Sequence, residues 1–166
     1  TNIRYDGFIA ACCYGYLNIV NKLIELGIDV VSKNKGFIRA CNGGRLKVVD
    51  RLIELGIDIV SKNKGFIKAC KNEHLGIINR LIELGVDIHF NNDDGFIKAC
   101  NSGRLNVVDR LIELGIDVVS KNKGFVEACT SGHLNIINKL IELGVDIHVD
   151  NDDGLNYYKK GNCNYN

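Results

Sequence analysis

Seven cysteines and four histidines are the residues of this 166-residue chain that could ligate a metal, pair as disulfides or run acid–base and nucleophilic chemistry. Their spacing speaks against all three. Cys12, Cys41, Cys70, Cys100 and Cys129 each follow a glycine by five residues, at Gly7, Gly36, Gly65, Gly95 and Gly124. Copies of one position in stacked helical units stand ~8–10 Å apart, beyond the ~7 Å that a disulfide spans. No C-x-x-C pair is present to seed a zinc site. The five are read as small buried core thiols; only Cys13 and Cys163 fall outside the pattern. His74 and His133 occupy a position where Arg45 and Arg104 stand in alternate copies, so a turn or packing role is expected. His89 and His148 recur as a second pair. The acidic stretches Asn91-Asn92-Asp93-Asp94 and Asp150-Asn151-Asp152-Asp153 lack the alternating acids and closing Glu of a calcium loop. They are expected to cap helices. Titratable residues repeat as copies instead of converging, so no catalytic residue, cofactor or metal is expected.

What repeats is larger than any site. Leu-Ile-Glu-Leu-Gly begins at Leu23, Leu52, Leu81, Leu111 and Leu140, with gaps of 29, 29, 30 and 29 residues. A fixed period of this size marks a stacked-repeat architecture. The predicted units are 7–35, 36–64, 65–94, 95–123 and 124–153 in a single domain spanning 1–166. Residues 1–6 read as the end of a preceding repeat and 154–166 as a C-terminal cap. In the unit starting at Gly95, Phe96, Ile97, Ala99 and Cys100 fall within an arc of about 160° on a helical wheel. Lys98, Asn101 and Ser102 lie opposite, giving a short amphipathic helix. A longer helix follows, with Leu105, Val107, Val108, Leu111, Ile112 and Leu114 toward the core and Asn106, Asp109, Arg110 and Glu113 toward water. Gly115 is placed to cap it. Neither helix can bury its apolar side alone, so the units must stack. Glu25, Glu54, Glu83, Glu113 and Glu142 each follow a Lys or Arg by three residues, and they read as weak helix-supporting pairs. Asp29, Asp58, Asp87, Asp117 and Asp146 recur as scaffold.

With the unit G-F-[IV]-x-A-C…L-I-E-L-G-[IV]-D-[IV] in place, the chain resembles the ankyrin repeat family. The Ala-Cys of the first helix, Gly132-His133-Leu134, the paired Val or Ile, and Leu-Ile-Glu-Leu-Gly with its following Asp carry the likeness. The phrases Ile82–His89 and Ile141–His148 are similar to the short ankyrin repeats of giant viruses that infect amoebae. The resemblance implies an all-α, ankyrin-like helical-repeat solenoid and a non-catalytic protein-binding role. Two departures stand out. Gly-Phe-Ile replaces the family's Thr-Pro-Leu-His start, and units of 29–30 residues are shorter than ~33. The deficit falls where the family builds its hairpin, so a stunted hairpin or plain loop is expected. Of these linkers, Lys33-Asn34-Lys35, Lys62-Asn63-Lys64 and Lys121-Asn122-Lys123 are basic.

Residues 36–94 align with 95–153 without a gap and agree at 46 of 59 positions. This is a two-unit duplication, and its differences are uneven. On the wet side of the first helix, five of six sites differ between Arg39, Asn42, Gly43, Lys68, Lys71, Asn72 and their counterparts Lys98, Asn101, Ser102, Glu127, Thr130, Ser131. On the wet stripe of the second helix three of eight differ. In the family the first helices line a partner-binding groove. The resemblance thus puts Arg39, Asn42, Lys68, Lys71, Lys98, Asn101, Glu127 and Thr130 toward a protein partner, in a mostly basic row suited to an acidic surface.

Composition sets the outer bounds. Apolar residues make up 46% and charged residues 25%, normal for a folded chain. No apolar run approaches the ~18 residues of a membrane span. A net charge of +1 and the lack of interleaved aromatics argue against nucleic acid. Free thiols fit a reducing, intracellular setting. Met is absent, so residue 1 is not a translation start and a longer parent chain is expected. The expected function is an adaptor in the host cytoplasm, a viral protein engaging a host factor. The alternative is a structural component of a virion, and nucleic-acid binding ranks below both.

Overall fold

The structure, a computed structural model, describes residues 3–148. Ten α-helices and no strand occur among them: α1 Ile3–Tyr14, α2 Leu17–Glu25, α3 Val30–Asn42, α4 Leu46–Glu54, α5 Ile59–Asn72, α6 Leu75–Glu83, α7 Phe90–Asn101, α8 Leu105–Glu113, α9 Val118–Ser131 and α10 Leu134–Glu142. The fold class is the expected one, all-α with ankyrin-like helical repeats. The chain forms two compact units, Thr1–Ile88 and His89–Asn166. Within each, odd-numbered helices pack side by side and every even-numbered helix packs on the odd-numbered one before it. The expected C-terminal cap, the acidic stretch 150–153 and Cys163 lie outside the described residues.

The first helix of a repeat is the longer one, reversing the expected order of lengths. α3, α5 and α9 run 13 to 14 residues and start six residues before the repeat glycine; α4, α6, α8 and α10 run nine. The cause is the recurring aspartate. Asp29, Asp58 and Asp117 accept hydrogen bonds from the amides of Ser32, Ser61 and Ser120 at 2.8, 2.6 and 2.7 Å, each a helix N-cap. The amide of Ser32 holds Asp29, and that of Ser120 holds Asp117, below the usual carboxylate range. The basic Lys-Asn-Lys segments are therefore helical, and the connector shrinks to a four-residue loop such as 26–29. No hairpin intervenes.

This lengthening puts the repeat glycine in mid-helix, where glycine costs ~1 kcal/mol relative to alanine. Packing explains it. A Cβ on Gly36 would lie 2.6 Å from the Phe8 ring and 2.8 Å from Cys12 Sγ. Gly65 meets Phe37 and Cys41, and Gly124 meets Phe96 and Cys100, at 2.6–2.8 Å. The five phenylalanines that follow a repeat glycine, Phe8, Phe37, Phe66, Phe96 and Phe125, are buried, as are the five repeat cysteines. In the second helices Val107, Val108 and Leu111 are buried as expected, while Leu105, Ile112 and Leu114 are half-buried.

A second link joins neighbouring repeats at their turns. His74 Nε2 lies 3.0 Å from the Asn42 carbonyl oxygen, and His133 Nε2 lies 3.0 Å from that of Asn101. Arg45 Nε donates to the equivalent Cys13 carbonyl at 3.0 Å. The His74 ring lies so close over Gly44 that a Cβ there would be 2.7 Å away; His133 does the same to Gly103. Gly44 and Gly103 have φ of +72°, and the matching place before His74 is taken by Glu73 in the same left-handed region. Histidine and arginine alternate because both reach that carbonyl with a flat N–H donor. Cations of the second helices bridge repeats as well. Arg80 Nε meets Asp50 at 3.0 Å, Lys139 Nζ meets Asp109 at 2.9 Å, and Arg51 Nε donates to Asn21 at 2.9 Å. The i, i+3 pairs form at Lys22–Glu25, Arg51–Glu54, Arg80–Glu83 and Arg110–Glu113.

Gly36→Ala should lower the melting temperature, because overpacking costs about 1–3 kcal/mol against ~1 kcal/mol of helix propensity gained. Gly7→Ala, with nothing within 4 Å of its Cβ, should leave it unchanged or raise it; equal shifts for both would sink the packing account. His74→Ala should destabilise by about 0.5–1.5 kcal/mol by removing the shorter of the two hydrogen bonds to the Asn42 carbonyl, the other coming from Asn72 Nδ2 at 3.4 Å; urea denaturation reads the loss, and His74→Arg should restore most of it.

Candidate functional site

The first-helix face of the unit Thr1–Ile88 is assembled from α1, α3 and α5. Each presents the same register to the side away from the second helices. Tyr5 and Ile9 come from α1, Lys35, Ile38, Arg39 and Asn42 from α3, and Lys68 from α5; together they line an open groove of about 470 Å³. Lys35 Nζ stands 5.4 Å from the centre of the Tyr5 ring, within cation–π range. Ile9 and Ile38 are half-buried and form an apolar strip, while Arg39 and Lys68 are exposed. The lining holds three cations and no carboxylate.

Of the residues expected to face a partner, Arg39, Asn42 and Lys68 share this groove. Lys71 is exposed in the last turn of α5. Asn42 is half-buried and committed to the turn: its carbonyl faces His74, and its Oδ1 accepts from Asn72 Nδ2 at 3.2 Å. The sequence missed Tyr5, Ile9, Lys35 and Ile38. The signal for Lys35 was present as Asp29-x-x-Ser32, a helix-start pattern that carries the helix back through the linker and sets Lys35 one turn before Arg39.

In the unit His89–Asn166 the face is composed differently. Lys98 on α7 lies 4.0 Å from Asp94. Asn101 Nδ2 donates to Glu127 Oε2 at 2.7 Å and to Ser131 Oγ at 3.0 Å. Thr130 Oγ1 donates to the Val126 carbonyl of its own helix at 2.9 Å. The charges here are mixed and largely satisfied locally.

One further cluster carries chemistry-bearing groups. Asn91, Asn92 and Asp93 are all left-handed, with φ of 57°, 57° and 61°. Asp93 therefore does not extend α7 as the expected cap. Its carboxylate is buried, bonded to His89 Nδ1 at 2.6 Å through one oxygen and to the Ser120 hydroxyl through the other. Serine donates to the carboxylate and not to the imidazole, so the imidazole is not placed to take its proton. The cluster fixes a turn. Among the described residues no group of His, Cys, Asp and Glu is arranged to hold a metal ion. Burial pushes the Cys12 thiol up to about 12 and Cys129 to about 11, and pushes Cys41, Cys70 and Cys100 further, so these thiols are protonated and unreactive. No helix among the described residues is long and apolar enough to cross a membrane.

A family profile described as ankyrin repeats (3 copies) matches residues 66–151, just over half of the chain. Among solved structures, the human ASB11 ankyrin repeat domain superposes with a TM-score of 0.67 at 19% identity, covering 93% of this chain and 82% of that one. At that identity the likeness speaks for the fold alone. No curated protein matches the sequence significantly. Repeat period, helix pairing, turn ladder and profile converge: the chain belongs to the ankyrin repeat family, whose repeats are in general protein–protein interaction modules.

Proposed function

We propose that this chain is a non-catalytic protein-binding adaptor that engages its partner along the first-helix face, and that the partner presents an acidic surface there. The observation that carries this is the composition of the groove on α1, α3 and α5: Lys35, Arg39 and Lys68 around an apolar strip, with no carboxylate in the lining. The uneven divergence of the duplicated repeats supports it. Positions that build the stack, such as Phe37 and Phe96 or Cys41 and Cys100, are identical between the copies, whereas Lys68 is replaced by Glu127 and Lys71 by Thr130. A face that changes its charge while the scaffold stays constant is the face free to fit partners. Complementary charge sets the rate and selectivity of such encounters more than their affinity.

The similarity of Ile82–His89 and Ile141–His148 to giant-virus repeats extends the proposal to a viral protein acting on a host factor in the host cytoplasm. Repeats of one period do not by themselves distinguish that role from a place in the virion; self-association and sedimentation with particles would mark the latter.

Lys68→Glu and Lys98→Glu, made singly and together, provide the test with a partner recovered by affinity capture. Reversal at Lys68 should weaken binding several-fold and flatten its salt dependence. Reversal at Lys98, which already has Asp94 beside it, should do less. Unchanged capture by the double variant would rule out the first-helix face.

A further inference from the structure

Beyond a generally acidic partner, we infer that the groove on α1, α3 and α5 takes one extended peptide segment in which an aliphatic side chain is flanked by carboxylates. This rests on the protein-binding proposal above and makes it specific to one place.

The apolar part comes first. Ile9 and Ile38 hold the same register on adjacent helices, are half-buried and both line the groove. The Tyr5 ring, with the Lys35 ammonium 5.4 Å from its centre, adds an aromatic surface to the lining. A volume of about 470 Å³ lies at the lower part of the range for small ligand sites and suits a few residues, not a folded surface. Ile9 and Ile38 carry no charge, so a leucine-like side chain gains against them what a carboxylate would lose by desolvation.

Charge then sets what flanks the anchor. Arg39 and Lys68 hold the same register on α3 and α5, and Lys35 lies one turn before Arg39. Three exposed or groove-lining cations around an apolar strip favour carboxylates on either side of the anchor. A phosphate is the competing anion. Phosphate sites are commonly built from backbone amides at a helix N-terminus or in a nest. Here the three cations and Ile9, Ile38 and Asn42 stand on middle and last turns of their helices, with Tyr5 alone in a first turn, so the positive charge is offered by separated side chains. That arrangement fits several single carboxylates spread along a chain better than one compact dianion.

The test uses the full chain and a fluorescein-labelled Asp-Glu-Leu-Asp-Glu peptide, read by anisotropy. Three comparison ligands are its amide analogue Asn-Gln-Leu-Asn-Gln, the analogue with Gly for Leu, and inorganic phosphate as competitor. The acidic peptide should bind, with loss of both acids and loss of Leu each weakening it about tenfold or more. Arg39→Glu and Lys68→Glu should each weaken it about five- to tenfold, whereas Lys47→Glu on the second helix should not. If a reversal unfolds the protein, Lys68→Gln with a salt titration carries the same test. Equal binding of the Gly analogue would overturn the anchor, and displacement by millimolar phosphate would overturn the peptide. Peptide binding that survives both reversals, or no peptide binding while capture of a whole partner still depends on Lys68, would overturn the groove and leave the adaptor proposal standing. Loss of that dependence would instead remove the adaptor face itself.

Discussion

The contact on which the architecture depends is a helix without a side chain pressed against a ring. At Gly36, Gly65 and Gly124 the backbone of one first helix lies directly on the Phe and Cys of the first helix before it. A methyl group at that point would overlap the ring by several tenths of an ångström. The benefit is that a phenylalanine becomes fully buried between two helices that approach closely, and aromatic burial of this kind outweighs the ~1 kcal/mol of helix propensity lost at glycine. The second helices follow from this. They cover the other side of each first helix through Val48, Val49 and Leu52 and their equivalents, and contribute less to one another than the first helices do.

Around that core, polar links set the register of neighbours. The carbonyl one residue past a repeat cysteine lies at the end of a helix, where the helix's own amides no longer reach it. His74, His133 and Arg45 supply the missing donor from the next repeat. On the opposite edge, Asn63 Oδ1 accepts from the Asp87 amide at 3.2 Å and Asn122 Oδ1 from the Asp146 amide at 3.1 Å, tying a first helix to the loop that follows its own second helix. The same polar position holds Asp93, which turns instead to His89 and Ser120. One position in the repeat thus fastens a loop by two different chemistries. The basic linkers correspond to a helical start, and the acidic linker 91–94 to a left-handed turn.

Much of this was legible beforehand. The period gave the fold class, because 29-residue copies of two amphipathic helices have few ways to bury their apolar sides. The repeat cysteines could be placed in the core for the same reason, and the histidines could be set aside as turn residues because arginine substitutes for them. The helix boundary was misplaced. Glycine followed by a hydrophobic run looked like a beginning, whereas the capping aspartate lies seven residues earlier and its serine partner is easily passed over in a polar stretch. That error hid Lys35. The small size of the repeat glycine was not legible, because size is expressed only in contacts between repeats. The groove was half visible: Arg39 and Lys68 follow from periodicity, but Tyr5 and Ile9 matter through helices distant in sequence.

The glycine contact also bears on how such a chain can change its length. The first helices that carry Gly36, Gly65 and Gly124 each have a flat, side-chain-free strip at the glycine and, five residues or fewer away, a ring and a thiol of the kind that fits such a strip. One helix thus carries both halves of the fit, and a block copied whole brings both with it. The 46 identities in 59 positions are what such growth leaves behind. Selection for packing then acts on the same few atoms in every copy, and novelty is confined to side chains that never touch the strip.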